Sequence, residues 1–240
     1  MRKVRLADFR LYGGRLSTLP EKKILITTLN AHSYNITQKD EIFARSLAES
    51  DVLIPDGISV VWAVRLLTGT RLRKIAGADL FFHEMQRLNE SRGSCFFLGS
   101  SEKTLEKIAE RAALEYPDVK VGTYSPPYKP LFEASDNSAM ISAVNAFRPG
   151  VLFVGMTAPK QEKWAFEHKD SLQTGHICCI GAVFDFYAGT VSRAPSWMIR
   201  LGLEWFYRLV REPSRMWRRY LIGNSKFIWL VLKEKLGQTS

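Results

Sequence analysis

Short apolar runs alternate along most of the 240-residue chain with longer segments whose apolar residues recur at helical spacing. Lys23 to Leu29, Asp51 to Ile54, Cys95 to Leu98, Val119 to Thr123, Val151 to Gly155 and Ile177 to Gly181 each read as a strand. Between them lie helical patterns: from Asn30 to about Glu49, with Ile42, Phe43 and Leu47 facing inward, then Ile58 to Leu67, and then a helix reaching about Asn89 with Asp79 as its N-cap. Gly99-Ser-Ser101 caps a helix with Leu105, Ile108 and Ala112 on one face. Asn137 to Phe147 forms another, and Pro159 opens one at a position where proline is tolerated. Trp62 and Trp164 fall on helices and are expected in the core. Strands alternating with helices predict an α/β fold, a Rossmann-like parallel sheet covered by helices on both faces. Residues 1–20 are weakly patterned and read as a lead-in strand or a hairpin around Gly13-Gly14. Near Arg193 the strands cease, and two basic, aromatic-rich helices follow, split at Pro213. The expected domains are therefore a core over 1–192 and a helical appendage over 193–240.

Charge sharpens this division. The chain carries 34 Lys and Arg against 24 Asp and Glu, a net +10. From Arg193 onward there are ten basic and three acidic residues, so +7 of that excess sits in the last fifth, with four of the six Trp. Such a patch predicts an anionic partner: a membrane surface, a phosphorylated substrate or nucleic acid. Phe227 to Leu232 is too short to span a bilayer but long enough to dip into its interface. Ordinary helix packing or a homo-oligomer contact would use the same residues. Cys95, Cys178 and Cys179 lie in apolar runs without metal-site spacing, as expected of reduced core thiols. The N-terminus lacks a signal-peptide pattern and no run is long enough to cross a membrane, so a cytoplasmic location is expected.

In open α/β sheets ligands bind beyond the carboxyl ends of the strands. Thr28 and Asn30 close one strand there, Asp56 stands in an Asp-Gly turn after another, and Thr157-Ala-Pro-Lys-Gln161 follows a third. Asp-Gly is also ordinary turn chemistry. No strand is followed by G-x-G-x-x-G and there is no P-loop, which disfavours an NAD-linked sugar-nucleotide oxidoreductase. There is no Asp-x-Asp pair and no clustered His, so neither a metal nor a cofactor is expected. A leaving diphosphate would then rely on Arg, Lys or backbone amides. Arg208, Arg211, Arg215 and Arg218 recur at spacings of three, four and three, and line either a solvated face or the inside of a bend at Pro213. A non-enzymatic membrane- or nucleic-acid-binding module would leave the strand-end polar residues without a purpose. His32 reads as structural, and Asp185 as either a substrate ligand or a turn cap.

The segments Thr28-Leu-Asn30, Pro55-Asp-Gly-Ile58, Ala76-Gly-Ala-Asp-Leu80, Ala158-Pro-Lys-Gln-Glu162, Phe184 to Gly189, Arg193-Ala-Pro195, Leu203 to Arg208 and Glu212-Pro-Ser-Arg215 occur in order over roughly residues 20–225. Together they resemble the WecG/TagA/CpsF glycosyltransferases, glycosyltransferase family 26. The resemblance implies an inverting, metal-independent transferase that moves a sugar from a UDP-sugar to a polyprenyl-diphosphate-linked sugar. It would work in bacterial polysaccharide biosynthesis, peripherally on the inner face of the cytoplasmic membrane, with no nucleic acid involved. Carried over by position, Asp56 is the general base. Thr28, Asn30 and Gln161 lie beside the donor sugar, and Arg208, Arg215 and Arg218 meet the acceptor diphosphate. Family members often carry Arg three residues before the Gly of the G-x-D-L motif. This chain has Lys74 there, so Lys74 or the neighbouring Arg73 takes that donor-binding place.

Overall fold

The computed structural model describes residues 3–237. In chain order it contains β1 (Lys3–Leu6), β2 (Phe9–Tyr12), β3 (Ile24–Leu29), α1 (Ala31–Thr37), α2 (Glu41–Ala48), β4 (Val52–Pro55), α3 (Ile58–Thr68), α4 (Gly77–Glu90), β5 (Ser94–Gly99), α5 (Glu102–Glu115), β6 (Lys120–Tyr124), α6 (Ala134–Phe147), β7 (Val151–Gly155), α7 (Lys160–His168), β8 (His176–Cys179) and α8 (Val183–Tyr187). Only helices follow: α9 (Ser196–Arg200), α10 (Glu204–Arg211), α11 (Pro213–Trp217), a π-helical segment Arg218–Ile222, and α12 (Gly223–Gly237).

The eight strands form one sheet in the order β1-β2-β4-β3-β8-β7-β5-β6. All pairs are parallel except β1 with β2. Because alternate strand residues point to opposite faces, Ile24, Ile26, Val52, Ile54, Phe97 and Phe153 pack with α4, α5 and α8 on one side. Leu25, Leu98, Leu152 and Ile177 pack with α6 and α7 on the other. Leu29 and Leu53 meet α1, α2, α3 and, through Phe227 and Val231, α12. The helix after β3 thus lies on one face and the helix after its neighbour β8 on the opposite one. The chain diverges there, and this leaves a crevice at their carboxyl ends.

Several expectations require correction. The hairpin turns at Ala7-Asp8, where Ala7 has φ 48°, and not at Gly13-Gly14. Asp79 is not the N-cap of α4: Ala76 is, and Asp79 sits three residues in, its Oδ2 accepting the Ala76 N–H at 2.8 Å. Trp62 is not core but 72% exposed, and Ile42, expected to face inward beside Phe43 and Leu47, is 64% exposed. The buried stripe of α3 is Val60, Ala63 and Val64, and since the helix is apolar on nearly every side, its periodicity could not show which face turns inward. Trp164 is buried as expected, with Nε1 donating to Asn137 Oδ1 at 3.0 Å. The three cysteines are buried and free. Asp185 accepts the Thr190 hydroxyl on Oδ1 at 3.5 Å, in keeping with the turn role.

One buried polar cluster ties the sheet to α4. His176 Nδ1 meets Glu84 Oε1 at 2.9 Å and its Nε2 meets the Pro20 carbonyl at 2.9 Å. Arg87 donates to Glu84 Oε2 at 2.6 Å. With an acceptor at each ring nitrogen, His176 favours the doubly protonated form and its pKa is raised against the pull of burial, while that of Glu84 is lowered by His176 and Arg87. Glu84→Ala leaves an imidazolium without its counter-charge and is expected to cost about 3–5 kcal/mol, measurable by urea unfolding at pH 6. The His176 contribution is fully present below pH ~6.5 and fades as pH rises through its elevated folded value. The mutational cost should therefore shrink at alkaline pH.

Candidate active site

The sheet register brings the rim together. Thr28 pairs with Ile54 and Leu29 with Pro55, so Asn30 and Asp56 leave neighbouring strands at the same height. The Asp56 N–H donates to the Leu29 carbonyl at 2.9 Å. Gly57 follows at φ +110°, a conformation that L side chains rarely adopt, and it lets α3 start directly after the carboxylate. The Ile75 N–H donates to the Pro55 carbonyl at 3.1 Å, which pins the basic turn beside Asp56. Gly77 then approaches Ile180, beyond the end of β8. One short loop thereby spans the carboxyl ends of β4 and β8.

Asp56 is partly buried, and its pKa is raised from 3.8 to about 6. Burial is the main cause. Glu204 from α10 raises it further, Lys74 and Arg219 pull it down, and Asp79 adds a smaller upward push. Lys74 Nζ lies 4.0 Å from Glu204 Oε2, so α10 reaches the basic turn beside Asp56 through this pair. Between the two candidates in the turn, Lys74 is the half-buried one that acts on Asp56, and Arg73 is exposed.

The remaining rim residues are held with different degrees of freedom. Thr28 is half-buried at the end of β3. Asn30 caps α1: its Oδ1 accepts from the His32 and Ser33 amides at 3.0 Å each, and Ser33 Oγ accepts the Asn30 N–H at 2.8 Å. That leaves its amide NH2 as the group able to face a ligand. Gln161 is buried, Oε1 accepting the Met156 N–H at 3.2 Å and Nε2 donating to Glu162 Oε1 at 2.8 Å. Burial lifts Glu162 to about 7. His32 falls to about 4, by burial first and then by Arg219, so it stays neutral at physiological pH.

Profile comparison matches residues 13–240 to the family described as "Glycosyl transferase WecG/TagA/CpsF family". The chain belongs to this family. Relatives with curated names include the "N-acetylglucosaminyldiphosphoundecaprenol N-acetyl-beta-D-mannosaminyltransferase" of Bacillus subtilis (strain 168), 32% identical over 88% of this chain and 80% of that protein. Identically named proteins of Bacillus spizizenii (29% identical over 89% of this chain and 80% of its own) and Staphylococcus aureus strain MW2 (24%, over 88% and 81%) are also similar. WecG/TagA/CpsF membership makes the chain a glycosyltransferase.

The arginines that the family resemblance singled out separate in the structure. Arg208 lies one turn along α10 from Glu204, on the same face. It lines a cavity of about 300 Å³ with Thr190, Val191, Ser192, Tyr207, Arg211 and Glu212. Its guanidinium stacks over Phe186 at 5.6 Å, and among the described residues its buried Nε has no hydrogen-bond partner. Arg218 is exposed, stacked on Trp217 at 5.2 Å. The side chain of Arg215 lies outside what is described. Arg219, which spacing did not select, is the arginine that acts on Asp56 and His32. A larger cavity of about 590 Å³ lies elsewhere, lined by Ala7 and Asp8 of the hairpin, Gln38 at the end of α1, Thr68 at the end of α3, and Glu234 of α12.

Phe227 to Leu232 splits by face. Phe227 and Val231 are buried, with the Phe227 ring edge-on to Tyr34 at 5.2 Å, whereas Ile228, Trp229 and Leu232 are exposed. No described helix is long and apolar enough to cross a membrane.

Proposed function

We propose that this glycosyltransferase is inverting and metal-independent, and transfers a sugar from a UDP-sugar to the hydroxyl of a polyprenyl-diphosphate-linked sugar. The names of its relatives favour N-acetylmannosamine as the sugar and N-acetylglucosaminyl-diphosphoundecaprenol as the acceptor, in cell-surface glycopolymer synthesis. The observation that carries the reading is Asp56: a carboxylate at the strand-end crevice, lifted to about 6 and flanked by Lys74 and Arg219. Above that value it is ionised, and burial keeps it more basic than a solvated carboxylate.

In the proposed step the acceptor hydroxyl gives its proton to Asp56 as its oxygen bonds to the anomeric carbon of the donor. The bond from that carbon to the β-phosphate oxygen breaks, and UDP leaves with the electron pair. Thr28, the Asn30 amide NH2 and Gln161 would position the donor sugar, and Lys74 would meet charge on the departing diphosphate. Arg208, with Arg215 and Arg218, would hold the acceptor diphosphate. The basic appendage would keep the enzyme peripheral on an anionic inner leaflet, each nearby cation contributing about 1 kcal/mol.

The test is product analysis with a UDP-sugar panel, a short-chain diphosphate-linked N-acetylglucosamine acceptor, and EDTA. One donor should lengthen the acceptor by a single sugar, with the new linkage opposite in anomeric configuration to the donor by NMR. Retention of configuration or an absolute need for divalent metal would contradict the mechanism, and no product with any donor would contradict the assignment. A companion prediction concerns Glu204. Removing its charge in Glu204→Gln takes away an upward push on Asp56, so the acid limb of kcat/KM should move to lower pH, whereas Lys74→Met should move it higher.

A further inference from the structure

The outward face of α3 carries an apolar row that the fold does not cover. Ile58, Trp62 and Leu66 recur every fourth residue and are 40%, 72% and 43% exposed. At 1.5 Å per residue the row runs about 12 Å along the helix. It starts two residues after Asp56, where Ile58 lies against Gly202 of the appendage, and so it leads away from the mouth of the site.

The chain around the row is mainly basic, and the acids Asp8 and Glu234 line the cavity at the far end of α3 with Leu67 and Thr68. From Gly57 to Ala78 the chain contains Arg65, Arg71, Arg73 and Lys74 and no Asp or Glu. Arg65, Arg71 and Arg73 are exposed. The appendage shows the same composition: between Pro213 and Lys233 lie Arg215, Arg218, Arg219, Lys226 and Lys233, again without an acid. The two segments are also neighbours. α3 and α12 bury Val60 and Val64, and Phe227 and Val231, in one cluster, and Lys235 Nζ donates to the Leu66 carbonyl at 3.2 Å. Each helix buries one face in this core and leaves an apolar row exposed, Trp62 on α3 and Trp229 with Leu232 on α12.

We propose that the α3 row is a membrane-docking surface on the catalytic core itself, seating Ile58, Trp62 and Leu66 in the interface of an anionic leaflet while Arg65, Arg71 and Arg73 meet its headgroups. The inference deepens the reading above and rests on its lipid-linked acceptor: the core is held so that the crevice opens at the level where a lipid diphosphate emerges. Aromatic and aliphatic side chains on one face with cations beside them are the composition that interfacial helices use. A second copy of the chain suits the row poorly, because a two-fold contact sets each patch against itself and would bring like charges together.

The test is co-sedimentation of the full chain, without substrates, with phosphatidylcholine vesicles containing or lacking phosphatidylglycerol. Wild type should bind the anionic vesicles and weaken with salt, and Trp62→Ser/Leu66→Ser should bind about tenfold or more weakly with an unchanged melting curve. If the double variant unfolds, Trp62→Phe serves: brominated acyl chains should quench wild type more than this variant. Equal vesicle binding by wild type and the double variant, or equal quenching by wild type and Trp62→Phe, overturns the proposal. So does a wild-type oligomer that the double variant converts to monomers, since a second copy would then cover the row. The proposed function fails separately: a protein that docks through Trp62 yet transfers no sugar would keep this surface and lose that reaction.

Discussion

Replacing Asp56 by Asn is expected to lower turnover by about 10²–10⁴-fold, the range that a positioned general base supplies, and to make the protein more stable near neutral pH. Both effects follow from one carboxylate. Its folded pKa is raised from 3.8 to about 6, mainly by burial and next by Glu204. A group raised in this way favours folding most when protonated. Its contribution is complete below pH 3.8 and is lost as pH rises through about 6. Above that, ionised Asp56 costs the fold at most about 3 kcal/mol, a cost that neutral Asn does not carry. Thermal melts should therefore diverge between pH 4 and 6, and the variant should stay a few degrees higher at pH 8. A turnover loss accompanied by destabilisation at pH 8 would mean that Asn disturbs the turn.

Arg208→Ala is expected to lower kcat/KM by about 10²–10³-fold, comparable to removing one preorganised donor from a charge-stabilising site. Arg208 stacks on Phe186, with its Nε buried and unpartnered among the described residues beside the cavity at Thr190 to Ser192. A half-buried guanidinium whose Nε is shielded from solvent favours an anion at the site. Pyrophosphate should therefore raise the melting temperature of wild type more than that of Arg208→Ala, by mass action on the folded state. Arg208→Lys keeps the charge without the planar fork and should fall between the two. Arg218→Ala removes an exposed residue stacked on Trp217 and should cost under about tenfold by the same reasoning. Equal losses at both arginines would mean that the appendage acts through its overall charge.

Much of the fold was legible because a buried parallel strand is a short apolar run and little else reads that way. The six strands from β3 to β8 lie where the apolar runs are, and Asp56 stands in the turn that its Asp-Gly pair marks. Strand order was not legible, since the diverging connections at β3 and β8 are a matter of which face each helix covers, and apolar content does not encode that. Trp62 shows the same limit within one helix: α3 is apolar almost all round, and only packing against β1 and α12 decides which residues are left outside. Arg219, whose charge acts on Asp56, does not emerge from the sequence for another reason. Spacing arguments assume 3.6 residues per turn, and Arg218–Ile222 is π-helical, so the phase slips and Arg219 turns inward in place of Arg218. Glu204 escaped notice because a carboxylate next to the base looks unfavourable until its partner Lys74 is seen beside it.

The most direct test of the account is acceptor-dependent UDP release by the wild-type protein in EDTA, followed from pH 5 to 9 beside Asp56→Asn. Release should require both one UDP-sugar and the lipid-diphosphate acceptor, rise through a single ionisation near pH 6, and collapse in the variant. Release at the wild-type rate in Asp56→Asn, or a rate indifferent to acceptor, would contradict it.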